Sequence, residues 1–200
     1  MTRPAVTLAT RLTLLRILLI PVFIVCVLSY AAGSRAGDPR TSLRLAAVSV
    51  FAVASLTDAL DGYLARVRGE RTTLGACLDP IADKALMISA IVLFSTDLGG
   101  AFARFPLWFP AIAIAREAVL VPGIVLLRIL HRPVEIRPTV SGKLATIAQM
   151  AAVGWVLVGL TVPPVRFLAG VAACLTLVAG VQYVLQGIRL LVPAQRTAAP

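Results

Sequence analysis

Six long apolar runs, separated by short polar segments, dominate the hydrophobic pattern of the chain. Glycine and proline mark several separators, among them Gly33, Gly99 and Pro163. Each run approaches or exceeds the roughly 20 helical residues that cross a bilayer, and none alternates with the period of a strand. The runs are Leu12–Ala32, Leu43–Leu64, Ile81–Leu98, Pro106–Leu130, Leu144–Val162 and Val165–Val192.

This pattern predicts an all-α polytopic membrane protein with six transmembrane helices, since lipid tolerates only helices and closed barrels. Residues 1–200 are expected to form a single membrane domain, with a frayed tail at 193–200. The first run is expected to be a retained span, because it is long for a signal peptide and Gly33-Ser34-Arg35 is a weak cleavage site. Hydrophobic residues make up 59% of the chain, charged residues 14%, and the mean hydropathy is +0.93, which excludes soluble globular and disordered classes.

The net charge of +10 is best explained by a positive-inside membrane topology. With the N-terminus inside, the outer segments hold five cations: Arg35, Arg40, Arg44, Arg104 and Arg166. The inner segments then hold eleven: Arg3, Arg11, Arg66, Arg68, Arg71, Arg128, Arg132, Arg137, Lys143, Arg189 and Arg196. Both termini are therefore predicted to be cytoplasmic. Nucleic-acid binding is disfavoured, because the basic residues are dispersed and lack an aromatic stacking surface.

The cysteines and the histidine indicate no zinc or nucleophilic site. Cys26, Cys77 and Cys174 form no CxxC pair and are expected to be buried, inert thiols without a disulfide. His131 is the only histidine, so it cannot by itself form a histidine metal site or a Ser-His-Asp triad.

Four of the nine acidic residues cluster between positions 58 and 83. Asp58 and Asp61 are three apart on the second predicted helix, and Asp79 and Asp83 are four apart at the start of the third, so each pair shares a helix face. The connection between these helices is short, so the four carboxylates are predicted to converge at the cytoplasmic face. Helix capping explains Asp79 before Pro80 but not the whole set.

Four convergent carboxylates need a compensating charge, and oxygen-only ligands favour hard cations such as Mg²⁺, Mn²⁺ or Ca²⁺. Two bridged ions would form a clamp suited to phosphoryl chemistry. Gly62, Ala65 and Gly75 beside the acids serve either close helix packing or a flat ligand against the backbone. Arg66 is the nearest cation and suits a phosphate oxygen.

The acidic segment resembles the signature of the CDP-alcohol phosphotransferase family, D-x2-D-G-x2-A-R-x8-G-x3-D-x3-D. All eight specified positions match: Asp58, Asp61, Gly62, Ala65, Arg66, Gly75, Asp79 and Asp83. Outside the signature, the chain is also similar at Thr13 to Arg16, Pro21, Arg116-Glu117, Ser141 to Lys143, Thr146 and Gln149.

The resemblance implies a six-helix enzyme of phospholipid synthesis that moves a phosphatidyl group from CDP-diacylglycerol to an alcohol and releases CMP. It assigns two divalent cations, Mg²⁺ or Mn²⁺, to Asp58, Asp61, Asp79 and Asp83, with Asp83 also as the base for the acceptor hydroxyl. Family members are often homodimers, and the implied location is the cell (inner) membrane with the active site at the cytoplasmic face. The implied CMP site comprises Asp61, Gly62, Ala65, Arg66 and Gly75.

The acceptor alcohol is less sharply indicated. The run Leu78 to Lys84 resembles the LDPxADK run of phosphatidylglycerophosphate synthases and cardiolipin synthases. A phosphorylated acceptor such as glycerol 3-phosphate would use the cations Arg116, Arg137 and Lys143, although Arg116 and Glu117 could instead form a buried salt bridge.

Two departures keep a cardiolipin synthase, with phosphatidylglycerol as acceptor, as the alternative. Ile124 and Val125 replace a second Arg-Glu pair, and Thr10 replaces an asparagine, both common in phosphatidylglycerophosphate synthases. A divalent-cation carrier is the remote alternative of another class. A carrier would distribute acids along a path through the bilayer, whereas these acids are predicted to lie at one face.

Overall fold

The computed structural model describes residues 8–68, 84–129 and 139–191, with side chains at 14–57, 84–123 and 139–188. Over these ranges the chain forms six helices and no strand, which confirms the all-α prediction. The helices are α1 (Leu8–Arg35), α2 (Thr41–Arg68), α3 (Lys84–Leu93), α4 (Trp108–Ile129), α5 (Val140–Val158) and α6 (Val165–Leu191).

Three helices contain segments long and apolar enough to cross a membrane: Leu14–Arg35, Val140–Val158 and Val165–Ile188. Large apolar side chains on their outer surfaces are exposed, for example Leu18 on α1 and Leu185 on α6. Soluble monomers rarely expose apolar patches of this extent. These helices are therefore those of a membrane protein.

Two helices end at glycines whose backbone adopts the left-handed conformation, close to the helix ends that the sequence predicts. At the end of α5, Gly159 has φ +82°, and the amides of Gly159 and Leu160 donate to the carbonyls of Val156 and Trp155 at 3.2 Å each. This is the Schellman arrangement, which satisfies carbonyls left over at a helix end. Gly37, with φ +80°, ends α1 in the same way. Helix α5 consequently ends at Val158 rather than at Val162.

Helix α3 ends five residues earlier than the apolar run that predicted it. The hydroxyls of Ser95 and Thr96 donate 2.7 Å hydrogen bonds to the carbonyls of Ile91 and Leu93. The Phe105 amide then donates to the Phe94 carbonyl at 2.9 Å. Hydroxyl side chains that bond to nearby carbonyls compete with the helical ladder, so an apolar run with such residues overstates the helix length.

The described residues belong to two compact units. The first comprises Met1–Phe105 and Ala152–Val165. Its core is aromatic: Phe94 lies 6.3 Å from Phe23, 5.1 Å from Phe102 and 6.4 Å from Phe105, measured between ring centroids, and Phe51 packs on Phe23 at 5.8 Å. Such ring pairs contribute about 0.5–1.5 kcal/mol each beyond the area they bury.

Three of the five arginines predicted at the outer side bind backbone carbonyls within this first unit. Arg35 Nη2 donates to the Asp97 carbonyl at 2.7 Å, and Arg44 Nε donates to the Leu157 carbonyl at 2.7 Å. Arg104 Nε donates to the Ser95 carbonyl at 2.8 Å. These cations therefore have structural partners that a count of charges per loop does not reveal.

The second unit comprises Pro106–Ala151 and Arg166–Pro200. Small buried residues such as Ala145, Ala172 and Ala179 let its helices approach closely. The Gln149 side-chain amide donates to Thr176 Oγ1 at 2.8 Å, and the Thr176 hydroxyl donates to the Ala172 carbonyl at 2.6 Å. This buried polar pair joins α5 to α6.

The cysteine prediction is wrong in one respect. Cys26 and Cys174 are free thiols, as expected, but Cys26 is only half-buried and Cys174 is exposed on α6. An apolar run does not imply burial within a membrane protein, because its outward face meets lipid that is as apolar as leucine. Cys77 and the tail at 193–200 lie outside the described residues.

Candidate functional site

Arg116 and Glu117 form an ion pair on α4 in the second unit. Arg116 Nη1 lies 3.0 Å from Glu117 Oε1, and the two side chains are 11% and 16% exposed. The ion pair that the sequence raised as an alternative role for Arg116 is therefore present, and both of its side chains are partly buried. However, Arg116 Nε is also buried and has no hydrogen-bond partner among the described residues. The guanidinium thus retains a donor for a further acceptor, which suits phosphate or carboxylate oxygens.

Tyr183 on α6 contacts both neighbouring helices of this unit. Its ring centroid lies 5.9 Å from Cζ of Arg116, within the range of a cation–π contact. A Cβ placed on Gly142 of α5 would lie 2.7 Å from the Tyr183 hydroxyl oxygen. The phenol of Tyr183 thus occupies the space that a side chain at position 142 would need, and glycine leaves that space open.

The first turn of α5 is held by side chains on both sides. Thr139 is its N-cap, and its hydroxyl oxygen accepts the Gly142 amide at 3.2 Å. The Ser141 hydroxyl donates to Gln182 Oε1 on α6 at 2.6 Å. Since Thr139 caps the helix, α5 begins at Val140, four residues before the predicted apolar run.

Lys143 follows directly in this turn. Its backbone amide donates to the Thr139 carbonyl at 3.2 Å, and its side chain is exposed. The turn therefore fixes the backbone from which Lys143 extends, while leaving its ammonium group accessible to a ligand.

An apolar groove of about 550 Å³ lies along α4 and α6 of the same unit. Among the described residues of its wall, Arg116 and Thr176 are the polar ones. The rest of the lining is Ala111, Ile112, Ala115, Val119, Leu177, Gly180, Val181, Val184 and Leu185. Volumes of this order accommodate small-molecule ligands, and a wall of this kind suits an apolar chain.

The signature residues fall only partly within the described structure. Helix α2 extends through Asp58, Asp61, Gly62, Ala65 and Arg66, so these residues occupy one continuous helix. Asp58 and Asp61 are three apart on it and share a face, as the sequence predicts. The side chains of these residues lie outside the described set, as do Gly75, Asp79, Asp83 and Arg137 in full. Among the described residues, no group of three His, Cys, Asp or Glu side chains could hold a metal ion.

A family model for CDP-alcohol phosphatidyltransferase matches residues 6–182. The chain belongs to the CDP-alcohol phosphatidyltransferase family. This match confirms the family that the acidic signature predicted and extends it from α1 to α6. The chain is accordingly an enzyme that transfers a phosphatidyl group.

Two curated relatives are similar over most of their length. The "Probable phosphatidylglycerophosphate synthase" of Mycobacterium tuberculosis strain H37Rv is 36% identical over 197 residues, which cover 96% of this chain and 87% of the relative. The "CDP-diacylglycerol--glycerol-3-phosphate 3-phosphatidyltransferase" of Escherichia coli K12 is 36% identical over 148 residues, which cover 74% and 75%. Both names specify the phosphatidylglycerophosphate branch.

The structure adds α6 residues that the sequence did not single out. Of the three predicted acceptor-binding cations, Arg116 and Lys143 are described, and Tyr183 contacts Arg116 and the turn that carries Lys143. Tyr183 and Gln182 lie in an apolar run without a motif. In the sequence, the two residues stand out only because they carry polar groups within an apolar run. Other polar residues within the runs do the same, so this feature does not mark Gln182 or Tyr183 as functional.

Proposed function

We propose that this phosphatidyltransferase uses CDP-diacylglycerol as donor and glycerol 3-phosphate as acceptor, and forms phosphatidylglycerophosphate and CMP. The observation that carries the acceptor assignment is the match, over 96% of the chain, to a relative named as a phosphatidylglycerophosphate synthase. Arg116 is partly buried, and its Nε–H has no acceptor within the part of the chain that the structure describes, which supports an acceptor that carries its own phosphate. The apolar groove beside it supports a lipid substrate.

The donor set of the signature fits two divalent cations. Asp58, Asp61, Asp79 and Asp83 offer only carboxylate oxygens, which Mg²⁺ and Mn²⁺ prefer, and two of them share a face of α2. When bound, the ions would offset the negative charge of the pyrophosphate and of the departing CMP.

The remaining steps belong to residues of the chain. Asp83 takes the proton from the acceptor hydroxyl, and that oxygen then bonds to the phosphorus that carries diacylglycerol. The bond from this phosphorus to the oxygen of CMP breaks, and CMP leaves with the electron pair. Asp61, Gly62, Ala65, Arg66 and Gly75 hold the CMP portion, while Arg116, Arg137 and Lys143 hold the acceptor phosphate. Positioning and electrostatics supply most of the rate enhancement.

The topology we propose has six spans in a single domain, with both termini and the active site at the cytoplasmic face of the cell membrane. Support comes from the excess of Lys and Arg in the inner segments. It also comes from the carbonyl partners of Arg35, Arg44 and Arg104, which give three outer arginines a structural reason to be there. We also propose that the protein forms a homodimer, and this part of the proposal is supported only by the resemblance to the family.

An acceptor panel with purified protein tests the assignment. CDP-diacylglycerol is supplied with glycerol 3-phosphate, phosphatidylglycerol or inositol phosphate, and CMP and the lipid product are measured. We expect phosphatidylglycerophosphate from glycerol 3-phosphate. Cardiolipin from phosphatidylglycerol, without product from glycerol 3-phosphate, would replace the proposal with the cardiolipin synthase alternative. Uptake of Mn²⁺ into liposomes without lipid turnover would instead support the carrier.

A further inference from the structure

We infer that Tyr183 is a positioning residue for the acceptor phosphate: it sets Arg116 of α4 against the first turn of α5. The inference rests on the proposed function, because it takes Arg116 and Lys143 as ligands of that phosphate. It adds a role for α6, which carries none of the signature residues and none of the cations assigned to the acceptor.

The first contact orients the cation. The Tyr183 ring lies against the guanidinium of Arg116, with 5.9 Å from Cζ to the ring centroid. Glu117 engages Nη1 of the same guanidinium at 3.0 Å. A guanidinium that is hydrogen-bonded to a carboxylate through one nitrogen and packed against an aromatic ring has little freedom to rotate. Its remaining donors then point in a constant direction, which lowers the ordering entropy that phosphate binding must overcome.

The second contact orients the turn. The Tyr183 hydroxyl packs where Gly142 lacks a side chain, and the neighbouring Gln182 accepts from Ser141 at 2.6 Å. Two consecutive residues of α6 thus hold the turn of α5 from which Lys143 extends. Because the same phenol ring touches α4, a shift of that ring would change the separation between the two cations.

The chain supplies a matched control in its first unit. Tyr30 also faces an arginine, with 5.7 Å between its ring centroid and Cζ of Arg44. That arginine binds the Leu157 carbonyl rather than any residue assigned to a substrate. Loss of the Tyr30 ring tests the effect of breaking an arginine–tyrosine contact in this protein without touching the acceptor site.

The experiment measures steady-state kinetics of Tyr183→Leu, Tyr183→Phe and Tyr30→Leu in the purified full chain. We expect Tyr183→Leu to raise KM for glycerol 3-phosphate by about tenfold, which lies between the effects expected for an exposed and for a fully desolvated cation–π contact. KM for CDP-diacylglycerol should stay within twofold of wild type. Tyr183→Phe, which keeps the ring against Arg116 but loses the hydroxyl that packs at Gly142, should give a smaller rise in the acceptor KM, and Tyr30→Leu should leave both KM values unchanged.

Gly142→Ala disturbs the same contact from the side of α5, because the added methyl group must displace the phenol of Tyr183. The same selective rise in the acceptor KM is expected, and this variant keeps the test valid if Tyr183→Leu does not fold. Equal changes in both KM values, or a fall in kcat alone, would overturn the positioning role while leaving the proposed function intact. A wild-type protein that makes no product from glycerol 3-phosphate would overturn the proposed function and this inference with it.

Discussion

Arg44 Nε donates a 2.7 Å hydrogen bond to the carbonyl oxygen of Leu157, which lies 113 positions further along the chain. That carbonyl belongs to the last turn of α5, where the helix has no donor of its own to offer. The guanidinium also lies 5.7 Å from the Tyr30 ring centroid and 5.5 Å from that of Phe102. A Cβ on Gly159 would collide with it, so the helix-ending glycine also makes room for the arginine.

Arg44→Leu should therefore lower the stability of the fold. The Leu157 carbonyl would lose a charge-assisted hydrogen bond, which typically contributes about 1.5–3 kcal/mol. The measurement is unfolding of the detergent-solubilised protein by heat or denaturant. Arg40→Leu is the control, because its 3.5 Å ion pair with Asp38 is exposed at 72% and 77% and should contribute little. Equal stability of the two variants would contradict the capping role.

The buried pair of Gln149 and Thr176 should show energetic coupling between α5 and α6. Thr176→Val removes the acceptor of a 2.8 Å hydrogen bond and leaves the Gln149 amide buried without its partner. Polar contacts between membrane helices give coupling energies averaging about 0.6 kcal/mol and reaching about 1.7. Because this pair is buried, we expect a value towards the upper end from a double-mutant cycle with Gln149→Leu. Additive effects of the two changes would show that the hydrogen bond carries no net stability.

Lys143→Ala should raise KM for glycerol 3-phosphate far more than KM for CDP-diacylglycerol. A charge-assisted contact to phosphate contributes about 1.5–3 kcal/mol, which corresponds to roughly ten- to a hundredfold in binding. Lys143→Arg should retain much of the affinity, because the charge remains. Arg166→Ala is the control, since this exposed residue of α6 lies in a predicted outer segment. A parallel change in both KM values would remove Lys143 from the acceptor site.

Removal of divalent cations should abolish activity. The signature places four carboxylates in one short segment, where they repel one another and the negative pyrophosphate of the donor. Bound cations must offset this negative charge before the donor can bind. Dialysis against EDTA followed by Mg²⁺ or Mn²⁺ should eliminate and then restore CMP release. Turnover that survives thorough chelation would contradict the two-metal proposal.

Asp83→Asn should remove activity without unfolding the protein. The amide cannot accept the proton of the acceptor hydroxyl, and one fewer negative charge should leave the metal-free protein equally or more stable. CMP release and thermal unfolding, measured side by side, separate the two effects. Near-normal turnover with metal bound would show that another group serves as the base.

The amino-acid sequence by itself determined the all-α class and the family, while the metal and catalytic roles of the signature residues stay predictions. Hydropathy reports the helices because lipid leaves the backbone few alternatives. The signature is recognisable because its eight positions lie within 26 residues, as neighbours along the chain. Helix ends were predicted less well, since hydroxyls such as those of Thr96 and Thr139 decide them and are not apolar.

Only the tertiary structure decided which distant residues meet. The carbonyl partners of Arg35 and Arg44 lie 62 and 113 positions away, and no local pattern encodes such pairings. The exposure of the Cys174 thiol could not be predicted either, because hydropathy does not distinguish a helix face that meets lipid from one that meets protein. Tyr183 has no motif to mark it. Its relation to Arg116 and Gly142 exists only because α6 packs beside α4 and α5 in that unit.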